Sequence, residues 1–122
     1  KNAERLYPNN PYLRNYYQVY SNDLKNRGIV AFNKGHMDTA SIEYNKWTIL
    51  EPNNPEAWYN LGGAFFNTRK YVLAKQAWER TLQLNPNHVQ AKQNLPMANQ
   101  IVNQMMMATQ QATQQAQPIN LK

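Results

Sequence analysis

Residues 55–86 read PEAWYNLGGAFFNTRKYVLAKQAWERTLQLNP: two amphipathic helices with a short turn between them. Asn54-Pro55 is a helix start. The Asn side chain caps the first turn, and Pro takes a position where its missing N–H is not needed. Trp58, Leu61, Ala64 and Phe65 then fall on one face at steps of three and four. Asn67 to Lys70 is a break, after which Tyr71, Ala74, Trp78 and Leu82 mark a second apolar face. Gly62 and Ala74 are small residues on faces that are otherwise large, which implies close approach of the two helices. Asn85-Pro86-Asn87 ends the unit and turns the chain.

The same signals recur at a spacing of 34. Gly28 returns as Gly62, Ala40 as Ala74, and Pro52 as Pro86. Tyr44 matches Trp78, Leu50 matches Leu84, and Asn53 matches Asn87. Trp58-x2-Leu61-Gly62-x2-Phe65, then Ala74-x3-Trp78, then Pro86, resembles the tetratricopeptide repeat (TPR). The preceding unit keeps Gly28, Gly35, Ala40, Tyr44 and Pro52 but has Leu24 and Arg27 where the pattern wants Trp and Leu. A third start at 89–95 is cut across by Pro96, which stands where the helix glycine belongs. The resemblance implies an all-α fold: a short right-handed α-solenoid of antiparallel helix pairs, with about two and a half repeats. The repeats lie near 21–54 and 55–88, within a helical domain spanning 1–107.

Both ends depart from the period. Tyr7-Pro8-Asn9-Asn10-Pro11 resembles Glu51-Pro52-Asn53-Asn54-Pro55 at an offset of ten residues more than 34. Those ten residues are about 2.8 helical turns. Tyr12, Tyr16, Tyr20, Leu24 and Gly28 recur every four, which favours one elongated helix over 11–33. A short helix over 11–20 with a new start capped by Ser21 or Asn22 is the alternative. The N-terminal tyrosines are read as packing, since tyrosine offers apolar area with a wet hydroxyl. From His88 a long C-terminal helix caps the last open face, as a solenoid requires. Pro96 removes one of its backbone hydrogen bonds and is expected to kink it. Residues 108–122 form an uncharged, Gln-rich tail, expected to be frayed or disordered.

The composition excludes several chemistries. There is no Cys, so thiol nucleophiles, disulfides and thiolate metal sites are ruled out. His36 and His88 are far apart and are read as turn and cap residues, so no metal or cofactor is expected. Ser41, His36 and Asp38 are neighbours at a helix start and are read as that, not as a catalytic set. No glycine-rich phosphate loop exists among four glycines. The expectation is a non-enzyme. The net charge is +6, but it is spread along the chain, so no nucleic-acid role follows and only a mild preference for acidic partners does. No apolar run approaches the ~20 residues of a membrane span. The chain begins with Lys1, which reads as a mature form or a fragment, and leaves the compartment open. Asn and Gln, 18 and 12 in number, supply the polarity that charge does not.

In the TPR family the first helix of each pair lines a concave groove that binds peptides or partner segments. Carried over by position, the groove set is Lys25, Ile29, Phe32 and Asn33 from the first unit. Tyr59, Asn60, Gly63, Phe66 and Asn67 come from the second, and Gln90, Gln93, Asn94 and Met97 from the last helix. One subclass clamps the C-terminal carboxylate of chaperone tails. Lys25 and Asn60 match its pattern, but Ile29, Gln90 and Asn94 do not, so that role is not expected. The implied function is a non-catalytic protein–protein interaction module. The alternative is a structural segment that self-assembles as a homo-oligomer through its terminal helices. Val102, Met105 and Met106 are the candidate contacts for it, as soft apolar side chains.

Overall fold

The computed structural model describes residues 10–116. They form five helices: α1 (Pro11–Asn33), α2 (Met37–Leu50), α3 (Pro55–Asn67), α4 (Tyr71–Leu84) and α5 (Val89–Gln115). Among the described residues there is no strand. Each helix packs chiefly on its neighbours in the chain, α1 on α2, α2 on α3, α3 on α4 and α4 on α5. That is the one-dimensional packing of an all-α helical repeat.

The helix starts follow the capping chemistry. Asn10 Oδ1 accepts from the Tyr12 and Leu13 amides at 2.9 and 3.3 Å, with Pro11 in the first turn. Asn54 Oδ1 accepts from the Glu56 amide at 3.0 Å, with Pro55 in the equivalent place. The turns within the two helix pairs also correspond. Gly35 has φ +80° after α1, and Arg69 has φ +63° after α3. The His36 amide bonds the Ala31 carbonyl at 2.8 Å, and the Lys70 amide bonds the Phe65 carbonyl at 2.9 Å. Both loops reverse the chain through a left-handed residue 34 positions apart.

Close approach within each pair is built on glycine. A Cβ on Gly28 would run into the Tyr44 ring, and a Cβ on Gly62 into the Trp78 indole. The aromatic ring of the second helix therefore lies directly on the backbone of the first. Around these contacts Leu24, Tyr44, Trp47, Leu61 and Ala64 form the core of the first three helices. Trp47 was not singled out by the repeat pattern, yet it is buried, and its indole N–H donates to Glu51 Oε1 at 2.6 Å. Trp78 is 2% exposed, as its place in the pattern requires. Trp58 is only half-buried, because its indole N–H reaches out to the Pro52 carbonyl at 2.8 Å.

Two expectations at the ends need correction. Tyr17 and Tyr20 pack on the core, but Tyr12 and Tyr16 are exposed, since α1 outruns α2 at its N-terminal end. Tyr7 lies outside the described residues. At the other end α5 continues through Pro96 and through 108–115, where a frayed tail was expected. Met, Ala and Gln are good helix formers and no glycine interrupts them, so the helix propagates without tertiary support. Residues 117–122 of that tail lie outside the described residues.

Candidate functional site: a concave face across the first helices

The first helices of the pairs, α1, α3 and α5, share one concave face. It encloses a pocket of about 460 Å³. Ile29, Phe32 and Asn33 of α1 line one side. Tyr59, Asn60, Gly63, Phe66 and Asn67 of α3 line the middle, and Asn94 and Met97 of α5 close the other side. Tyr44 and Trp78 form part of the floor. These two belong to the second helices and were absent from the sequence-derived set. The glycines facing them were the available signal, because a ring seated on Gly28 or Gly62 passes between backbones to the concave side.

Three residues of the sequence-derived set stand apart. Lys25, Gln90 and Gln93 do not line the pocket and are exposed. Lys25 lies one turn before Ile29, and its Nζ sits 6.0 Å from the centroid of the Trp47 ring, a cation–π distance. Gln90 and Gln93 sit in the first turns of α5, beyond the enclosed stretch marked by Asn94 and Met97.

The floor is rigid. Trp78 lies between Tyr59 and Phe66, with ring centroids at 6.3 and 5.5 Å, and its indole N–H donates to the Tyr59 carbonyl at 3.1 Å. Phe66 also meets Tyr71 edge-on at 5.1 Å. Burial raises the Tyr44 phenol above the usual tyrosine range, so it stays neutral. The rim is amide. Asn94 Nδ2 donates to the Tyr59 hydroxyl at 3.2 Å, tying α5 to α3. Asn67 Nδ2 donates to the Gly63 carbonyl at 2.8 Å. Among the described residues no hydrogen bond engages the Asn33 or Asn60 side chain, so both keep donor and acceptor for another molecule. Among the described residues no Asp, Glu, Lys or Arg belongs to the lining. The +6 net charge therefore has no carrier in the pocket itself.

His88 fixes the angle at which α5 joins. It is buried, and its Nδ1 accepts from the Ala91 amide at 3.2 Å, capping α5. A nitrogen that accepts cannot carry the proton, so the hydrogen sits on Nε2 and is donated to Glu56 Oε1 at 2.9 Å on α3. The Tyr59 ring covers the imidazole at 4.8 Å. The reading of His88 as a cap is correct, while its link to α3 was invisible because Glu56 is 32 residues away.

The family model for the tetratricopeptide repeat matches residues 55–88, which are α3, α4 and the turn to His88. The chain carries a tetratricopeptide repeat. Repeats of this family generally mediate protein–protein interaction and are typically non-catalytic. The chain is 39% identical over 59 residues to the protein O-mannosyl-transferase TMTC1 of Homo sapiens, covering 48% of this chain and 7% of that protein. It is 27% identical over 79 residues to tetratricopeptide repeat protein 6 of Homo sapiens, covering 65% and 15% respectively. The peroxisomal targeting signal receptor of Saccharomyces cerevisiae is 29% identical over 72 residues, 59% of this chain and 12% of the receptor. The chain thus spans a small part, 15% at most, of these three relatives. Of the candidate self-association residues, Val102 is buried against α4 and is not available, whereas Met105 and Met106 are exposed. Among the described residues no helix is long and apolar enough to cross a membrane.

Proposed function

We propose that this chain is a non-catalytic interaction module that holds an extended peptide or partner segment on the concave face of α1, α3 and α5. The observation that carries the reading is the pocket's chemistry: an aromatic floor with two uncommitted amides, Asn33 and Asn60, on its rim. An amide side chain offers both a donor and an acceptor, which suits a peptide backbone irrespective of sequence. Phe32, Tyr59 and Phe66 supply apolar area for side chains of the bound segment. With no charge in the lining, apolar and backbone recognition dominates over recognition of acidic groups. The likeness to a receptor for a targeting signal agrees with a peptide-sized ligand. A transferase activity does not carry over from the mannosyl-transferase, since the similarity covers 7% of that protein.

The test is selection of peptides from a randomised displayed library against the full chain, followed by titration of a selected peptide. Asn33→Ala with Asn60→Ala should weaken binding by roughly tenfold, since each net hydrogen bond contributes about 0.5–1.5 kcal/mol. Helix content should be unchanged, because among the described residues no hydrogen bond engages either side chain. Equal affinity of the double variant would remove the groove assignment.

A further inference from the structure

The 34-residue spacing does not stop at α4. Gly35 and Arg69 are the left-handed residues that turn the first and second pairs, and the next position in the series is Asn103. Asn enters the left-handed region more readily than most residues. α2 begins at Met37 and α4 at Tyr71, so the third second-helix would begin at Met105. In place of a turn at 103, α5 runs unbroken from Val89 to Gln115.

The contact pair of each repeat also has a third member. Gly28 faces Tyr44, and Gly62 faces Trp78. The matching positions are Pro96 and Ala112. Where the first helix gains a ring, the second helix loses one, which is the compensation that packed helices need to keep volume constant. Residues 105–115 therefore have the sequence of a helix made to lie on 89–101. Neither half of that contact is made. On α4, Ala74, Ala77, Trp78 and Thr81 are buried, but their counterparts Ala108, Gln111, Ala112 and Gln115 are exposed. Gln93, Pro96 and Gln100 are exposed on the receiving half.

We propose that the two halves of α5 complete the third helix pair between two copies of this chain. Met105–Gln115 of one copy lies antiparallel on 89–101 of the second, and the reverse, with the two-fold axis near Gln104. Within a repeat, facing residues 62 and 78 are centred on residue 70, and 34 further along is 104. The partner is a second copy because the complementary surfaces, Pro96 and Ala112, are both on this chain. A straight helix separates them by 16 residues, about 24 Å, so they cannot meet within one molecule. The exchange forms the contact twice, as a closed isologous dimer does, which brings a small helix–helix interface toward the roughly 1,200–2,000 Å² of specific association. Gln93 to Ala116 is free of charge, so two copies of net charge +6 can meet there without placing like charges face to face. The Gln side chains on these faces, Gln93, Gln100, Gln104, Gln111 and Gln115, can pair as amides across the seam.

The absence of cysteine makes the test direct. The full chain with Pro96→Cys and Ala112→Cys is oxidised mildly and run without reductant. A disulfide needs Cα atoms within about 7 Å. The expected product is a covalent dimer at dilute protein concentration. An intrachain disulfide would mean that α5 folds back at Asn103, and overturns the proposal. No disulfide at all also overturns it. In the cysteine-free chain, light scattering after size exclusion should give a dimer with a dissociation constant of about 1–100 µM. Ala108→Lys with Ala112→Lys should weaken it by more than roughly 100-fold, since an unpaired ammonium would be buried. Gln110→Lys, on the opposite face of the helix, should leave it intact. Helix content read on each variant confirms folding, and a dimer indifferent to the two lysines is a result against the exchange.

Discussion

Gly62 and Gly63 are adjacent in one helix, yet their replacement by alanine should change stability in opposite directions. Alanine in a helix interior is favoured over glycine by about 1 kcal/mol. At Gly63 the nearest neighbouring atom to an added Cβ is Phe32 Cε2 at 3.9 Å, an ordinary contact. Gly63→Ala should therefore stabilise by up to about 1 kcal/mol. At Gly62 the Cβ would occupy the space of the Trp78 indole. That ring is held between Tyr59 and Phe66 and bonded to the Tyr59 carbonyl, so any shift away from the new methyl disturbs those contacts. Overpacking costs about 1–3 kcal/mol, and loss of the indole hydrogen bond a further 0.5–1.5 or so. Set against the gain in propensity, Gly62→Ala should destabilise by about 1–3 kcal/mol. Urea denaturation followed by circular dichroism reads both variants. In a Trp78→Ala background the obstacle is gone, and Gly62→Ala should turn neutral or stabilising, a coupling that a double-mutant cycle measures. If Gly62→Ala stabilises as much as Gly63→Ala in the parent chain, ring-on-backbone packing is refuted.

Other outcomes follow from the same contacts. Trp78→Ala should cost about 3–5 kcal/mol and Trp58→Ala clearly less, since Trp58 is only half-buried; equal losses by urea denaturation would contradict the burial order. His88→Ala removes both the cap of α5 and the bond to Glu56, and should cost about 1–2 kcal/mol, with amide exchange rising first in the opening turn of α5. An unchanged exchange rate at Ala91 and Lys92 would mean that the cap is not formed in solution.

The fold was largely legible because its signals are local. Asn-Pro starts, the break at 67–70 and the small residues at 28 and 62 each act within one helix or one turn, and the 34-residue period multiplies them. Ten of the thirteen groove candidates line the pocket for the same reason: the facing positions of a straight helix follow from its pitch. What the sequence did not reveal depends on distance along the chain. Trp47 follows Ala40 and Tyr44 at steps of four and three, so its helix places it on the buried face, but the repeat pattern names no residue there; it is core because it packs with residues of both α1 and α3. Lys25 carries the right charge and register for a groove but is drawn to the Trp47 ring. Val102 sits on the apolar seam of α5, and α4, far earlier in the chain, covers it. The helix from 108 to 115 was not legible because composition without charge resembles a disordered tail, while the helix propensity of Met, Ala and Gln is modest per residue and decides only when summed.

The central claim, that the concave face of α1, α3 and α5 holds a peptide segment, is tested most directly by the side-chain amide signals of its asparagines. These NH₂ resonances can be followed by ¹H–¹⁵N NMR while a library-selected peptide is titrated into the full chain. The account predicts saturable shifts at Asn33 and Asn60, and at Asn94 as its bond to Tyr59 is disturbed. Shifts confined to the outer faces of α2 and α4, with Asn33 and Asn60 unmoved at saturation, would contradict it.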